Sequence, residues 1–134
     1  MTTRKDVRVA LASAVQTGAG VRAIGWIPDS IPAPCATVGF REMDPRMVLS
    51  GAKSTYQMLV RLWAPRNETR TAQDLLDDWC EPSGSLSVIE AIETGANWSQ
   101  TIDYAQVTSI GELREQVRAD DVYLTVDLEV EVVW

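Results

Sequence analysis

The sequence contains no histidine and few basic residues, and each shortage limits the functions that the chain can have. Without histidine, the chain lacks the commonest general base and metal ligand of proteins. Its 12 lysines and arginines stand against 19 aspartates and glutamates, which gives a net charge of −7. This is the wrong sign for holding nucleic acid through its phosphates, although a surface that DNA passes without binding is compatible with it.

Long apolar runs and catalytic motifs are also missing. No apolar stretch approaches the roughly 18 residues of a membrane span, and Asp6 and Arg8 interrupt any signal-peptide core, so we expect no membrane partner. The two cysteines, Cys35 and Cys80, share no motif, and two reduced thiols are favoured over a disulfide. Because no glycine-rich phosphate loop, CxxC pair or nucleophile elbow is present, we expect no catalytic residue, metal or cofactor.

The length and composition predict one globular domain spanning residues 1–134. A chain of 134 residues with 46% hydrophobic content can bury a sizeable core. No internal repeat or low-complexity tract divides it.

The strongest periodicity lies in the stretch from Val122 to Trp134. Its even positions are all apolar, and its odd positions carry every charge, namely Asp127, Glu129 and Glu131. Because side chains alternate faces along a strand, this pattern predicts a strand with one dry side and one acidic side. At about 3.3 Å per residue the strand would span about 40 Å, which is as long as the domain itself.

The acidic side of this strand has an electrostatic consequence. Its three carboxylates would lie about 7 Å apart, where each neighbouring pair costs about 0.6 kcal/mol in water and about 2.4 kcal/mol at an effective dielectric near 20. Burial without cations would be heavily unfavourable, so we expect this side to stay in water. Two interpretations remain open: a solvated sheet face, or the wall of a water-filled channel or groove lined by Asp127, Glu129 and Glu131.

Three helices are predicted from apolar spacing and capping patterns. The first covers residues 4–16, with a stripe of apolar residues at helical spacing and Gly18 and Gly20 at its end. Two short helices follow, with capping boxes at Thr71 and Asp74 and at Ser87 and Glu90. The stripe of the first helix consists of Val7, Ala10, Leu11, Ala14 and Val15.

Further strands are predicted on both sides of a proline-rich connector at residues 28–34. The stretch from Gly111 to Asp121 is compatible with a short amphipathic turn or with a long hairpin connection. Together with the helices, these strands predict an α+β fold. The predicted strands are Val21–Ile27, Cys35–Phe40, Thr55–Ala64 and Thr101–Ile110.

Residues 41–54 form the longest segment without periodicity, and we predict an extended loop there. Arg41, Arg46 and Lys53 concentrate positive charge in it. The segment is either a solvated loop or an arm that docks on a partner.

Two apolar features suggest contact with another subunit. The strand Thr55–Ala64 is apolar on both faces, which predicts either a central strand or a subunit contact that includes Trp63. The last two residues, Val133 and Trp134, place apolar side chains on both faces of the final strand. Trp63, Val133 and Trp134 are therefore the candidate interface residues.

The order of these elements resembles that of the tail terminator proteins of long-tailed, non-contractile phages. The resemblance covers the whole chain: an N-terminal helix, a strand with a proline-rich connector, a long loop into a strand that ends in Ala64-Pro65-Arg66, two short helices and a paired C-terminal strand. It implies a mixed or mostly antiparallel sheet with the helices on one face. It also implies a virion protein, assembled in the host cytoplasm, that has no catalytic site or cofactor.

The resemblance further implies a homohexameric ring that caps the finished tail tube. Such a ring stops polymerisation of the major tail tube protein and presents a surface to the head–tail connector. Asp127, Glu129 and Glu131 would line its channel, where DNA slides past by repulsion without specific binding. The loop at residues 41–54 would reach the tube or a neighbouring subunit.

Other functions stay open at this point. The nearest is a head-completion or other neck protein of the same particle. From different classes come a monomeric ligand-binding domain and a small enzyme that uses paired carboxylates and a metal. The carboxylate pairs available for such an enzyme are Asp77-Asp78 and Asp120-Asp121, which the pattern favours as solvated surface residues.

Overall fold

The computed structural model describes residues 4–26, 28, 30–43, 55–66, 69–94, 102, 104–118 and 121–133. They form an α+β fold with an N-terminal helix, two short helices and a six-stranded, mostly antiparallel sheet, as predicted. In chain order the elements are α1 (Arg4–Ala19), β1 (Ala23–Ile24), β2 (Cys35–Met43), β3 (Thr55–Pro65), α2 (Thr69–Trp79), α3 (Val88–Glu93), β4 (Tyr104–Ile110), β5 (Arg114–Arg118) and β6 (Asp121–Val133).

The sheet is organised around β6, its longest described strand at 13 residues. The order across the sheet is β1-β2-β3-β6-β4, and β5 also pairs with β6. Only the short β1–β2 pair is parallel among the described strands. The central position of β3, between β2 and β6, is one of the two outcomes that its apolar faces predicted.

β4 and β5 together form one interrupted edge strand beside β6. Both run antiparallel to β6, β4 along its second half and β5 along its first. The register shifts by one residue between Val107 and Ser109, and the residues between Ile110 and Arg114 interrupt the ladder again. For Gly111–Asp121 the structure shows neither the amphipathic turn nor a long connection, because Arg114–Arg118 form a strand that pairs with β6.

The helices cover one face of the sheet, which we call the covered face. The main core lies there, where α1, α2 and α3 pack on the even-numbered side chains of β3 and β6. All five predicted apolar residues of the α1 stripe are buried in this core. The alternation in β6 is equally regular on this side, because its even positions from Leu124 to Val132 are all buried.

The opposite face, which we call the open face, is covered by the described residues at one end only. There the proline-rich connector packs on the sheet through a small cluster of Ile31, Cys35, Trp63 and Tyr123. The two cysteines are free, Cys35 in this cluster and Cys80 against the main core. Since they lie on opposite faces of the sheet, the reduced state predicted for them agrees with the structure.

Several predicted boundaries were wrong. In the strand predicted at Val21–Ile27, the described residues pair over Ala23–Ile24 alone, because the chain leaves β2 at Gly25 to pass against α1. The loop predicted at residues 41–54 begins too early, since Arg41 belongs to β2 and the pairing with β3 continues to Met43. The strand predicted at Thr101–Ile110 is described from Tyr104 onward.

The helix boundaries also differ in part from the predictions. α1 continues to Ala19 and ends at Gly20, whose φ of +70° is the left-handed conformation that glycine tolerates best. Gly18 is therefore inside the helix. α2 begins at Thr69, so Thr71 lies within its first turn and is not its N-cap. The cap at Ser87 is confirmed, because its side chain accepts a hydrogen bond from the Glu90 N–H at 3.0 Å.

Candidate functional site on the open face

The end of the open face that the connector does not cover carries the predicted acidic side chains. Asp127, Glu129 and Glu131 follow one another along this face of β6, and each is partly exposed. We call this region the acidic half-face. Neighbouring β3 contributes Gln57, Leu59 and Arg61, which lie directly opposite Glu131, Glu129 and Asp127.

The sequence alone predicted that the acidic side of β6 stays in water. In the structure the acidic half-face is not fully solvated, because a cation lies next to one of its carboxylates. Arg61 donates two hydrogen bonds to Asp127, from Nε to Oδ1 at 2.6 Å and from Nη2 to Oδ2 at 3.1 Å. The two side chains are 27% and 23% exposed. This two-pronged geometry is the strongest form of a carboxylate–guanidinium contact and compensates the partial burial of Asp127.

Arg61 is held in place from two sides. Its guanidinium carbon lies 5.7 Å from the centre of the Trp63 ring, within the range of a cation–π contact. The hydrogen bond with Asp127 raises the pKa of Arg61, and the negative charge of Asp127 acts in the same direction against the effect of burial. Arg61 is therefore charged at any working pH.

The predicted interface residue Trp63 has its contacts within its own chain. It is 1% exposed, its Nε1 donates a hydrogen bond to Thr37 Oγ1 at 3.0 Å, and its ring meets Tyr123 edge-on at 5.5 Å between centroids. Burial raises the pKa of the Tyr123 hydroxyl, and the charge of Asp121 adds to that effect. Trp63 stabilises the covered end of the open face and is not available to a neighbouring subunit.

The other predicted site residues are placed only in part. Val133 is half-buried at the end of β6, and Arg41 lies in β2. Arg46, Lys53 and Trp134 lie outside the described residues. The structure thus brings Asp127, Glu129 and Glu131 together on one face, and it joins to them Arg61, which the sequence prediction did not include.

Two of the open hollows that the described residues form lie beside α3 and beside the connector, away from the acidic half-face. One of about 500 Å³ is lined by small and polar residues between Gly18 and α3, with Glu90 as its carboxylate. The other, of about 360 Å³, lies beside the connector and contains Asp121. Among the described lining residues, each hollow has one carboxylate. Within the described part of the chain, no three potential metal ligands come together.

Comparison with known proteins does not identify the chain. None of the helices among the described residues is long and apolar enough to cross a membrane. No protein-family profile matches the chain, and no curated protein matches it significantly. What the fold and this face define is an α+β domain with one covered and one partly open, acidic sheet face.

Proposed function

We propose that this chain is a structural virion protein that forms a ring on the end of a phage tail tube. The ring ends polymerisation of the tube and offers its other side to the head connector. The observation that carries the proposal is the asymmetry of the sheet: helices cover one face, and no described element covers the acidic half-face. A ring that turns this face inward has an acidic wall.

An acidic wall suits the passage of DNA because like charges keep the two surfaces apart. The net charge of −7 acts in the same direction over the whole chain. Arg61 pairs with Asp127, so the repulsion in this proposal comes from the remaining negative charge of this face. A face that bound phosphates would instead carry unpaired arginines or lysines and would slow the DNA.

The remaining parts of the proposal concern the contacts of the ring. Val133 and Trp134 are proposed to contact a neighbouring subunit. Arg41, Arg46 and Lys53 are proposed to dock on the tail tube or on that neighbour. The ring is proposed to be a hexamer, in line with the family that the order of elements resembles.

The test begins with the mass of the purified protein in solution, measured by light scattering after size-exclusion chromatography. A ring should give a multiple of the 14.8 kDa chain mass and a closed particle in electron micrographs. The protein is then added to polymerising tail tube protein, where it should shorten the tubes and occupy their ends. A chain that stays monomeric at high concentration and also in the presence of tubes would refute the proposal. A chain that binds the head connector and ignores the tube would be a neck protein instead.

A further inference from the structure

The proline-rich connector crosses one end of the open face and is attached to the sheet at both of its own ends. On one side of it β1 pairs with β2, and on the other side Cys35 begins β2 opposite Trp63. Between these attachments the structure describes residues 28 and 30–34. The middle of the connector can therefore move without unpairing either strand.

Few hydrogen bonds hold the middle of the connector to the sheet. Three of its residues are prolines, which have no N–H to donate. Among the described residues, no backbone–backbone hydrogen bond joins residues 28 and 30–34 to another part of the chain. Two side chains reach them over long distances, Arg118 Nη2 to the Pro28 carbonyl and the Tyr123 hydroxyl to the Ile31 carbonyl, each at 3.4 Å. The same hydroxyl lies 3.5 Å from Asp121 Oδ2, so one O–H is shared between two acceptors.

Packing holds the connector mainly through one side chain. Ile31 is 6% exposed and is the one buried residue among the described residues of the connector, whereas Ala33 is only partly buried. The other three members of this cluster, Cys35, Trp63 and Tyr123, belong to strands of the sheet. A hollow of about 360 Å³ also lies between the connector and the sheet, so the two surfaces do not fit closely along their whole length.

The helices on the other face are attached much more firmly. α1 alone buries the five apolar side chains of its stripe in the main core, against the single buried side chain of the connector. The sheet separates the connector cluster from that core, and the two form distinct groups of buried residues. Loss of the packing around Ile31 therefore leaves the contacts of the helices in place.

We propose that the middle of the connector lifts off the sheet as a unit while the main core stays folded. Segments with few buried contacts and few backbone hydrogen bonds open at a lower free energy than the whole chain. Opening exposes Ile31 and uncovers Cys35 and the Trp63–Tyr123 pair. Because the guanidinium of Arg61 lies against Trp63, the uncovered surface continues into the acidic half-face. The connector thus sets how much of the open face is free, whether or not the chain forms a ring.

The thiol of Cys35 reports the opening, because it is 0% exposed while the connector is closed. In the Cys80→Ala protein it is the remaining thiol of the chain. Its alkylation by excess iodoacetamide at about pH 8, where an exposed thiol is partly thiolate, is followed by mass spectrometry over a range of urea concentrations. Far-UV circular dichroism measures global unfolding under the same conditions. The unfolding constant multiplied by the labelling rate of the unfolded chain gives the rate that global unfolding allows.

Labelling at low urea should be at least about tenfold faster than global unfolding allows, and it should depend only weakly on urea because little surface is exposed. Labelling that equals the globally allowed rate at every urea concentration would overturn the inference. Labelling as fast as that of the unfolded chain would also overturn it, since the connector would then have no closed state.

Two matched variants locate the opening. Ile31→Ala should speed labelling at low urea by about tenfold or more, because the closed connector loses its buried side chain. Leu76→Ala, in the main core under α2, should lower global stability and leave labelling at low urea unchanged, because the open form keeps that core. If Leu76→Ala does not fold, Ile92→Val makes a smaller change in the same core. Labelling that rises with the loss of global stability in both kinds of variant would contradict a separate opening.

The outcomes also separate this inference from the proposed function. If the protein caps tail tubes and Cys35 is labelled only through global unfolding, the inference fails and the proposed function stands. If labelling shows the separate opening and the protein neither shortens nor caps tubes, the inference stands and the proposed function fails.

Discussion

At the scale of single residues, Arg61 decides how the acidic half-face is stabilised. Without it, the partly buried Asp127 would lose its two-pronged partner beside two further carboxylates of the same strand face. Arg61 supplies two hydrogen bonds to Asp127 and stacks near Trp63, which links the acidic half-face to the cluster under the connector. A pair in this setting should contribute more than an exposed salt bridge.

A double-mutant cycle tests this contribution. Arg61→Met and Asp127→Asn should each lower the free energy of unfolding by about 1–3 kcal/mol, because each leaves a partly buried polar partner unpaired. The double variant should lose less than the sum, with a coupling of about 0.5–3 kcal/mol. Urea unfolding followed by tryptophan fluorescence measures all four proteins.

Arg66→Met, which breaks an exposed pair, is the control and should change stability by less than about 0.5 kcal/mol. Additive losses at Arg61 and Asp127 would show that the two residues act independently.

The buried thiol of Cys35 predicts a loss of stability in alkali. Burial raises its pKa from 9.0 to about 11, and Arg22 only partly opposes this. Between these two values the folded protein keeps the proton that the unfolded chain has lost, so stability is unaffected below about pH 9 and falls as the pH rises towards 11. The shift of two units corresponds to about 2–3 kcal/mol at its full extent.

Cys35→Ala should flatten this alkaline slope, measured as the free energy of unfolding from about pH 8 to about pH 11 under reducing conditions. The quantity that matters is the change in slope, since the substitution also changes packing at every pH. Any alkaline slope that remains in Cys35→Ala comes from Cys80 and Tyr123. Burial also raises the pKa of Cys80 to about 11, and it raises the pKa of Tyr123. An unchanged slope in Cys35→Ala would contradict the prediction.

At the scale of elements, short helices depend on their ends. α3 has only six residues, and Ser87 forms its N-terminus by accepting a hydrogen bond from the Glu90 N–H and donating one to the Glu81 carbonyl at 2.5 Å. The Glu90 side chain in turn accepts from the Gly84 N–H at 2.8 Å. The helix start is thus tied to the chain that precedes it, and Ser87 is 1% exposed.

Ser87→Ala should therefore lower the free energy of unfolding by about 1–2 kcal/mol, at the upper end for a helix cap, because two backbone groups lose their partner. Thermal or urea unfolding measures the effect. The matched control is Ser85→Ala, since Ser85 is exposed and should tolerate the change. Equal losses in the two variants would contradict the role assigned to Ser87.

At the scale of the whole molecule, the two faces of the sheet differ in what packs on them. The covered face holds the main core, whereas no described element packs on the acidic half-face. If the acidic half-face lines a ring, its charge sets how DNA moves through the channel. Charge reversal should then convert a repelling wall into a binding one.

The double variant Glu129→Lys/Glu131→Lys should retain double-stranded DNA in the assembled ring, with an affinity that falls steeply as salt is added. Fluorescence anisotropy at low and raised salt measures this binding. The control Glu93→Lys/Glu112→Lys makes the same change in net charge at exposed positions of α3 and the β4–β5 junction. Equal DNA binding by both variants would show that the effect is one of net charge, and would place the acidic half-face outside the channel.

Much of the fold was predictable because it follows from local periodicity. The apolar stripe of α1, the Ser87 cap and the dry side of β6 are patterns within a few consecutive residues, and the structure confirms each of them. The predictions misplaced the start of α2, which is at Thr69, and the start of the loop after β2. Pairing and packing extend these elements beyond the residues that carry their local signal.

Of the candidate site, the sequence predicted the acids and missed their cation. Arg61 and Asp127 are 66 positions apart, so only the register of β3 against β6 reveals that they face each other. The alternation along Thr55–Ala64 does place Arg61 on the same strand face as Gln57 and Leu59, which is the one local signal that pointed towards it. The same long-range pairing buried Trp63, which its strand pattern had left available for an interface.

The sequence by itself determined which stretches become helix or strand and which side of each is apolar, because those properties depend on the alternation of neighbouring side chains. Only the tertiary structure decided which strands are neighbours, which face the helices cover and which cation meets which carboxylate. Those outcomes depend on contacts between residues far apart in the chain, whose free energies are shared across the whole core and leave no period in the sequence.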